Sequence, residues 1–193
     1  MSLLPDHNSI THFLDVRGQQ ATARHCLQVA AQARALALRF GIDADKAHLA
    51  GLLHDISAYI PTAQRVAQAE AWGVAILPEE RVAPMILHQK LSVVVARQQF
   101  GVTDTAVLSA IGCHTTLKRD ASGLDKVVFL ADKIAWDQAG TPPWLADVMQ
   151  ALQNSLDAGV LVYLDYLWAR RSTLQVVHPW FAAAHTQLSA SPA

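Results

Sequence analysis

Apolar positions along this chain recur with the period of helices, and no stretch alternates convincingly with the period of strands. Between Ala21 and Phe40, the positions Leu27, Ala30, Ala31, Leu36 and Phe40 follow the helical repeat, and Gly41 stands where a left-handed stop is expected. Asp43 is placed to cap a second helix through Ala47, Ala50, Leu53 and Ile56, which Tyr59-Ile60-Pro61 ends or bends. Gly51 inside that helix costs about 1 kcal/mol, which a close approach of another helix would offset. A third helix is predicted over Thr62 to Trp72, and a fourth from Pro84 to Phe100, closed by Gly101. Thr103 or Asp104 caps a fifth, which carries Val107, Leu108, Ala110 and Ile111 up to His114. After the polar segment Thr115 to Gly123, a sixth covers Val127 to Trp136. Pro142 and Pro143 interrupt, and two last helices run over Trp144 to Leu152 and Ser155 to Arg170. Short helices in series predict an all-α, irregular helical bundle of one domain over about residues 15–188, with loose ends at 1–14 and 189–193.

Composition supports a sizeable core: of 193 residues, 52% are hydrophobic and 16% charged. With 15 Lys and Arg against 16 Asp and Glu, no field recruits nucleic acid or an anionic membrane, and a small ligand is the expected partner. No apolar run is long enough to span a bilayer, and MSLLPDHNSI does not read as a secretory leader. Two cysteines, Cys26 and Cys113, do not make a disulfide framework, so a cytoplasmic location is expected.

Nine histidines are the unusual count. His54-Asp55 closes the apolar run LAGLLHDI, and Asp132 interrupts the apolar stretch KVVFLADKIAW, where an unpaired buried carboxylate would cost several kcal/mol. Lys133 should point about 100° away from that carboxylate. His25, His88 and His114 each sit on a separate predicted helix, beside the apolar Val29, Leu91 and Ile111. Any one of them is accommodated as a packed core histidine or a helix-end cap, and Asp132 as a solvated residue. Together they make a nitrogen and oxygen set suited to iron, manganese, cobalt or zinc. His7, His12, His48, His178 and His185 lack such company, and the thiols of Cys26 and Cys113 should turn away from the ligand direction. Lys118 and Arg119 follow His114 and are candidates to hold phosphate.

The ordered set His25, His54-Asp55, His88, His114 and Asp132 resembles the HD-domain phosphohydrolase superfamily. More narrowly, RHCLQVAAQARALALRFGIDADKAHLAGLLHDI and AIGCHTTLKRDASGLDKVVFLADKI are similar to the YqeK-type symmetrical diadenosine tetraphosphate hydrolases. That resemblance implies an all-helical fold and two metal ions. One iron would be held by His25, His54, Asp55 and Asp132, with Asp55 bridging to a second metal on His88 and His114. It further implies cleavage of dinucleoside tetraphosphates in the middle into nucleoside diphosphates, with Asp55 central to catalysis, and often a homodimer. The chain departs from the family pattern at Ala58, where a lysine is usual, at Leu117 and Lys118 for glycine and arginine, and after Asp132. A different nucleotide substrate, or a non-catalytic module that binds metal and nucleotide, are the alternatives.

Overall fold

Capping side chains and left-handed glycines divide the chain into eleven α-helices in its computed structural model, which describes residues 7–190. They are α1 (His7–Asp15), α2 (Gln20–Arg39), α3 (Ala44–Leu53), α4 (Arg65–Ala71), α5 (Pro78–Val82), α6 (His88–Phe100), α7 (Thr105–Cys113), α8 (Gly123–Ile134), α9 (Leu145–Ala151), α10 (Leu156–Ala169) and α11 (Pro179–Ala190). Short 3-10 turns fill Thr62–Gln64, Pro84–Leu87 and Arg171–Thr173, and there is no strand among the described residues. No helix among them is long and apolar enough to cross a membrane.

The caps are those the side chains dictate. Asp43 accepts from the backbone N–H groups of Asp45 and Lys46 to start α3, and Asp104 accepts from those of Ala106 and Val107 to start α7. Ser122 and Asp125 bond each other's backbone N–H at the start of α8, and Ser155 opens α10. Gly101 ends α6 at φ 64°, a left-handed conformation that a side chain would strain.

The core centres on α8, whose consecutive Val127, Val128, Phe129, Leu130 and Ala131 are all fully buried between α2, α3, α7 and α10. Complete burial of a side chain such as Phe129 or Leu130 is worth about 1.5–3 kcal/mol. Against it lies the tight α2–α3 pair. A Cβ at Gly51 would stand 2.7 Å from the Ala30 Cα, so only glycine permits this approach. Leu27 and Ala31 fall on the exposed side of α2, and its core stripe is Cys26, Val29, Ala30, Ala33, Leu36 and Ala37. Here the smaller residues make the contact, because the neighbouring helix comes too close for larger ones.

Several boundaries differ from the sequence expectation. α3 stops at Leu53, and residues after it turn tightly, with Ala58 N–H donating to the Asp55 carbonyl and Ile60 N–H to that of Ser57. The expected fourth helix begins as a 3-10 turn at Pro84–Leu87, and becomes α-helical only at His88. α8 begins a turn early, because Ser122 and Asp125 cap it. α1, α5 and α11 carried no helical expectation. Residues 7–14 of the stretch expected to be loose are helical, with Ile10 and Leu14 fully buried, and Phe181, Ala184 and Leu188 fix α11. The expected loose ends at residues 1–6 and 191–193 lie outside the described residues.

Candidate metal centre

Three of the histidines stand at the ends of helical segments, where backbone carbonyls lack helical partners. His54 follows α3 and its Nδ1 lies 2.7 Å from the Gly51 carbonyl; His114 follows α7 and its Nδ1 lies 2.8 Å from the Ile111 carbonyl. His88 opens α6, with Nδ1 2.5 Å from the Met85 carbonyl. A carbonyl only accepts, so all three rings carry a proton on Nδ1, and their Nε2 atoms are left to face the interior.

Those Nε2 atoms converge on two carboxylates. His88 and His114 Nε2 stand 2.9 Å apart, and lie 3.2 Å and 3.5 Å from Asp55 Oδ1. His54 Nε2 is 3.5 Å from both Asp55 Oδ2 and Asp132 Oδ1, while His25 Nε2 is 3.0 Å from the same Asp132 oxygen. Three overlapping triads form, each with its ligand atoms within 4.8 Å of one another: His25, His54 and Asp55; His54, His114 and Asp132; and Asp55, His88 and His114. The six residues, from five places in the sequence, thus meet in one cluster.

Their chemistry fits a metal. Two neutral rings with Nδ1 protonated present only lone pairs to each other, so the His88–His114 apposition is repulsive unless a cation lies between or beside them. Three of the five buried side-chain polar atoms without a hydrogen-bond partner among the described residues, His54 Nε2, Asp55 Oδ1 and His25 Nδ1, fall in this one cluster. Burial, opposed by Asp55, pushes the His88 ring down to about 4 and lowers His114 as well, so both present bare nitrogen at neutral pH. Burial works to raise the Asp55 carboxyl, but His54, His88 and His114 outweigh it and hold it well below the usual carboxylate range. At His54 the balance is reversed: burial disfavours the charged ring, yet Asp55, Cys26 and Asp132 raise it well above its ordinary value. The position of its Nε2 therefore attracts positive charge.

A supporting shell holds these groups. The fully buried Gln89 amide accepts from the backbone N–H groups of Thr115 and Thr116, fixing the turn after His114. The Ser57 hydroxyl donates to the His88 carbonyl and accepts from the Ser92 hydroxyl. The Thr115 hydroxyl reaches His88 Nε2 at 3.0 Å. Partners of this kind fix ligand orientation. None was visible in the sequence, since each joins residues far apart in it.

One expectation meets a different geometry: Lys133 does not point away, since its long stem bends back and the ammonium bonds Asp132 Oδ2. Cys26 is fully buried, and that burial pushes its thiol up. Lys118 bonds the Ser109 hydroxyl and lies 3.5 Å from Asp125, while Arg119 is exposed beside Asp120. Among the described residues, neither cation makes a hydrogen bond or ion pair with the six clustered side chains.

The chain is similar to known proteins over most of its length. A family model described as HD domain matches residues 22–137, more than half of the chain and all six clustered residues. A relative from Lactococcus lactis subsp. cremoris, described as an uncharacterized protein in the pepC 5' region, is 45% identical over 147 residues, covering 76% of this chain and 74% of its own. The protein named symmetrical bis(5'-nucleosyl)-tetraphosphatase from Staphylococcus aureus is 31% identical over 137 residues, covering 69% of this chain and 68% of its own. In fold, the chain is similar to a crystal structure from Clostridium acetobutylicum described as a predicted HD superfamily hydrolase involved in NAD metabolism. That likeness has a TM-score of 0.87 at 24% identity, covering 97% of this chain and 99% of the other.

Proposed function

The chain belongs to the HD-domain family and is a metal-dependent phosphohydrolase, and from that premise we propose that it cleaves a dinucleoside polyphosphate symmetrically, diadenosine tetraphosphate first, into nucleoside diphosphates. In this reading His25, His54, Asp55 and Asp132 would hold one metal ion, and Asp55 with His88 and His114 would hold a second. The observation that carries it is the convergence of His54, His88 and His114 Nε2 on the Asp55 carboxylate, with the His88 and His114 nitrogens 2.9 Å apart.

The mixed nitrogen and oxygen donors suit iron, with manganese, cobalt and zinc as alternatives. Bound there, two ions would supply Lewis acidity toward a phosphoryl group and acidify an attacking water. The protein's own part is to hold the donors ready. The Nδ1–H bonds to the carbonyls of Gly51, Met85 and Ile111 fix three rings in the ligand tautomer. Lys133 orients the Asp132 carboxylate and balances its charge, while burial of His54 and His114 keeps bulk water from the inner side of the centre. The 31% identity to the Staphylococcus aureus tetraphosphatase supports the choice of substrate.

The test is chromatographic. The purified chain, loaded with iron or manganese, should convert diadenosine tetraphosphate to ADP alone. Formation of ATP and AMP in equal amounts would contradict symmetric attack, and cleavage of a nucleoside mono- or triphosphate or another dinucleotide with the tetraphosphate left intact would replace the substrate.

A further inference from the structure

Arg65 is a partly buried cation with no anion of its own. It is the first residue of α4, its Nε donating to the Ile60 carbonyl at 3.1 Å and its Nη1 to the Met85 carbonyl at 2.8 Å. The arginines ion-paired among the described residues are Arg34, Arg81 and Arg119, not Arg65. One of its anchors is shared with the metal centre, and the other lies on the chain that leaves it. The Met85 oxygen also accepts from His88 Nδ1, so the guanidinium and a ligand ring share one acceptor, and Ile60 closes the run of turns that begins at Asp55. Electrostatically, Arg65 acts on the His88 ring and feels the Asp55 carboxylate.

Two of the five N–H donors of a guanidinium are thereby committed, and the rest have no carboxylate to meet. A charge drawn partly out of water is costly unless it is paired, and the fork of an arginine matches a phosphate as well as a carboxylate. We propose that Arg65 is the phosphate-binding cation of this site, gripping the polyphosphate as it passes the Asp55–His88 side of the centre. The proposal rests on the phosphohydrolase reading and adds the residue that recognises the anion. It also accounts for the uncharged Ala58 in the same run of turns: the cation arrives from α4 instead.

The experiment uses the full chain loaded with manganese, with two ligands. Calorimetric titration with inorganic phosphate should show Arg65→Met binding about ten- to hundredfold more weakly than the parent, the worth of one charge-assisted contact. Metal-to-protein ratio should be unchanged. With diadenosine tetraphosphate, the same variant should raise KM by a similar factor and lower kcat much less. Arg65→Lys, which keeps the charge without the fork, should fall between. Introducing Ala58→Lys into Arg65→Met should recover part of the phosphate affinity. Unchanged phosphate affinity in Arg65→Met would overturn the proposal, and so would a loss that tracks loss of metal, since Arg65 would then be a strut for His88. A parent protein that binds phosphate through Arg65 yet leaves the tetraphosphate intact would sink the substrate assignment and leave this one standing.

Discussion

Two of the buried polar clusters among the described residues are built on opposite principles. In the first, the fully buried Glu80 carboxylate pairs with Lys90 at 2.7 Å and accepts from the Leu77 backbone N–H at 2.8 Å. Its other oxygen meets His178 Nε2 at 3.3 Å, while His178 Nδ1 accepts from the Trp180 backbone N–H. Each charge has its opposite and each ring nitrogen its partner. That cluster pins the start of α11 to α5 and α6 and is complete. The second, around Asp55, gathers four imidazoles, sets the Nε2 atoms of His88 and His114 against each other, and leaves His54 Nε2, Asp55 Oδ1 and His25 Nδ1 unpartnered. A buried group that is fully paired holds a fold together. One left short of positive charge marks where something else must bind.

The sharpest break between them should come from deleting one carboxylate in each. Asp55→Ala should reduce turnover to background and release at least one metal ion, measured by product assay and elemental analysis. Glu80→Gln should instead leave Lys90 without its counter-charge, costing about 3–5 kcal/mol in urea unfolding, with the metal-to-protein ratio unaltered. Loss of metal in the Glu80 variant would erase the distinction drawn between the clusters. A smaller effect is expected at Gly51, which touches the metal side alone. Gly51→Ala forces a methyl onto the Ala30 backbone, and should cost about 1–3 kcal/mol while weakening metal retention through the Gly51–His54 bond.

pH should separate the clusters more gently. An unfolded histidine takes up its proton near 6.5, whereas the folded His88 ring does so only near 4. Its contribution is therefore constant above pH 6.5, and the metal-free protein loses stability as pH falls from 6.5 toward 4. Glu80 has the other sign of shift. His178, the Leu77 N–H and Lys90 overcome its burial and lower its carboxyl from 4.5, so its contribution persists down to pH 4.5 and is given up only below. Urea midpoints measured across this range should decline in two stages, and His88→Asn should make the upper stage shallower, leaving the part due to the likewise depressed His114, without changing the lower one. An identical profile in the variant would refute the assignment of that stage to His88.

The same contrast shows what could be read from the chain. Helices with a local signal were legible: Asp43, Asp104 and Ser155 name their own starts, and Gly41 and Gly101 name stops. α5, five residues long, offers too few turns for any period to show, and α1 and α11 owe their place to a few side chains that find partners only in the folded molecule. At the site, the six clustered residues stood out because each put a polar group on an apolar helical stretch. Gln89, Ser57, Ser92 and Arg65 carried no such mark, being ordinary polar residues whose partners lie in other turns or helices. His178 was passed over for the same reason, since Glu80 is 98 positions away. Lys133 misled because a helical-wheel angle describes where Cβ points and not where a four-carbon stem can reach.

The central claim is that six dispersed side chains assemble one centre for two metal ions. Anomalous X-ray scattering from crystals of the manganese-loaded chain tests it directly. Two peaks roughly 3.5–4 Å apart are expected, one among His25, His54, Asp55 and Asp132 and the other among Asp55, His88 and His114. A single peak there, or manganese found only elsewhere on the protein, would contradict it.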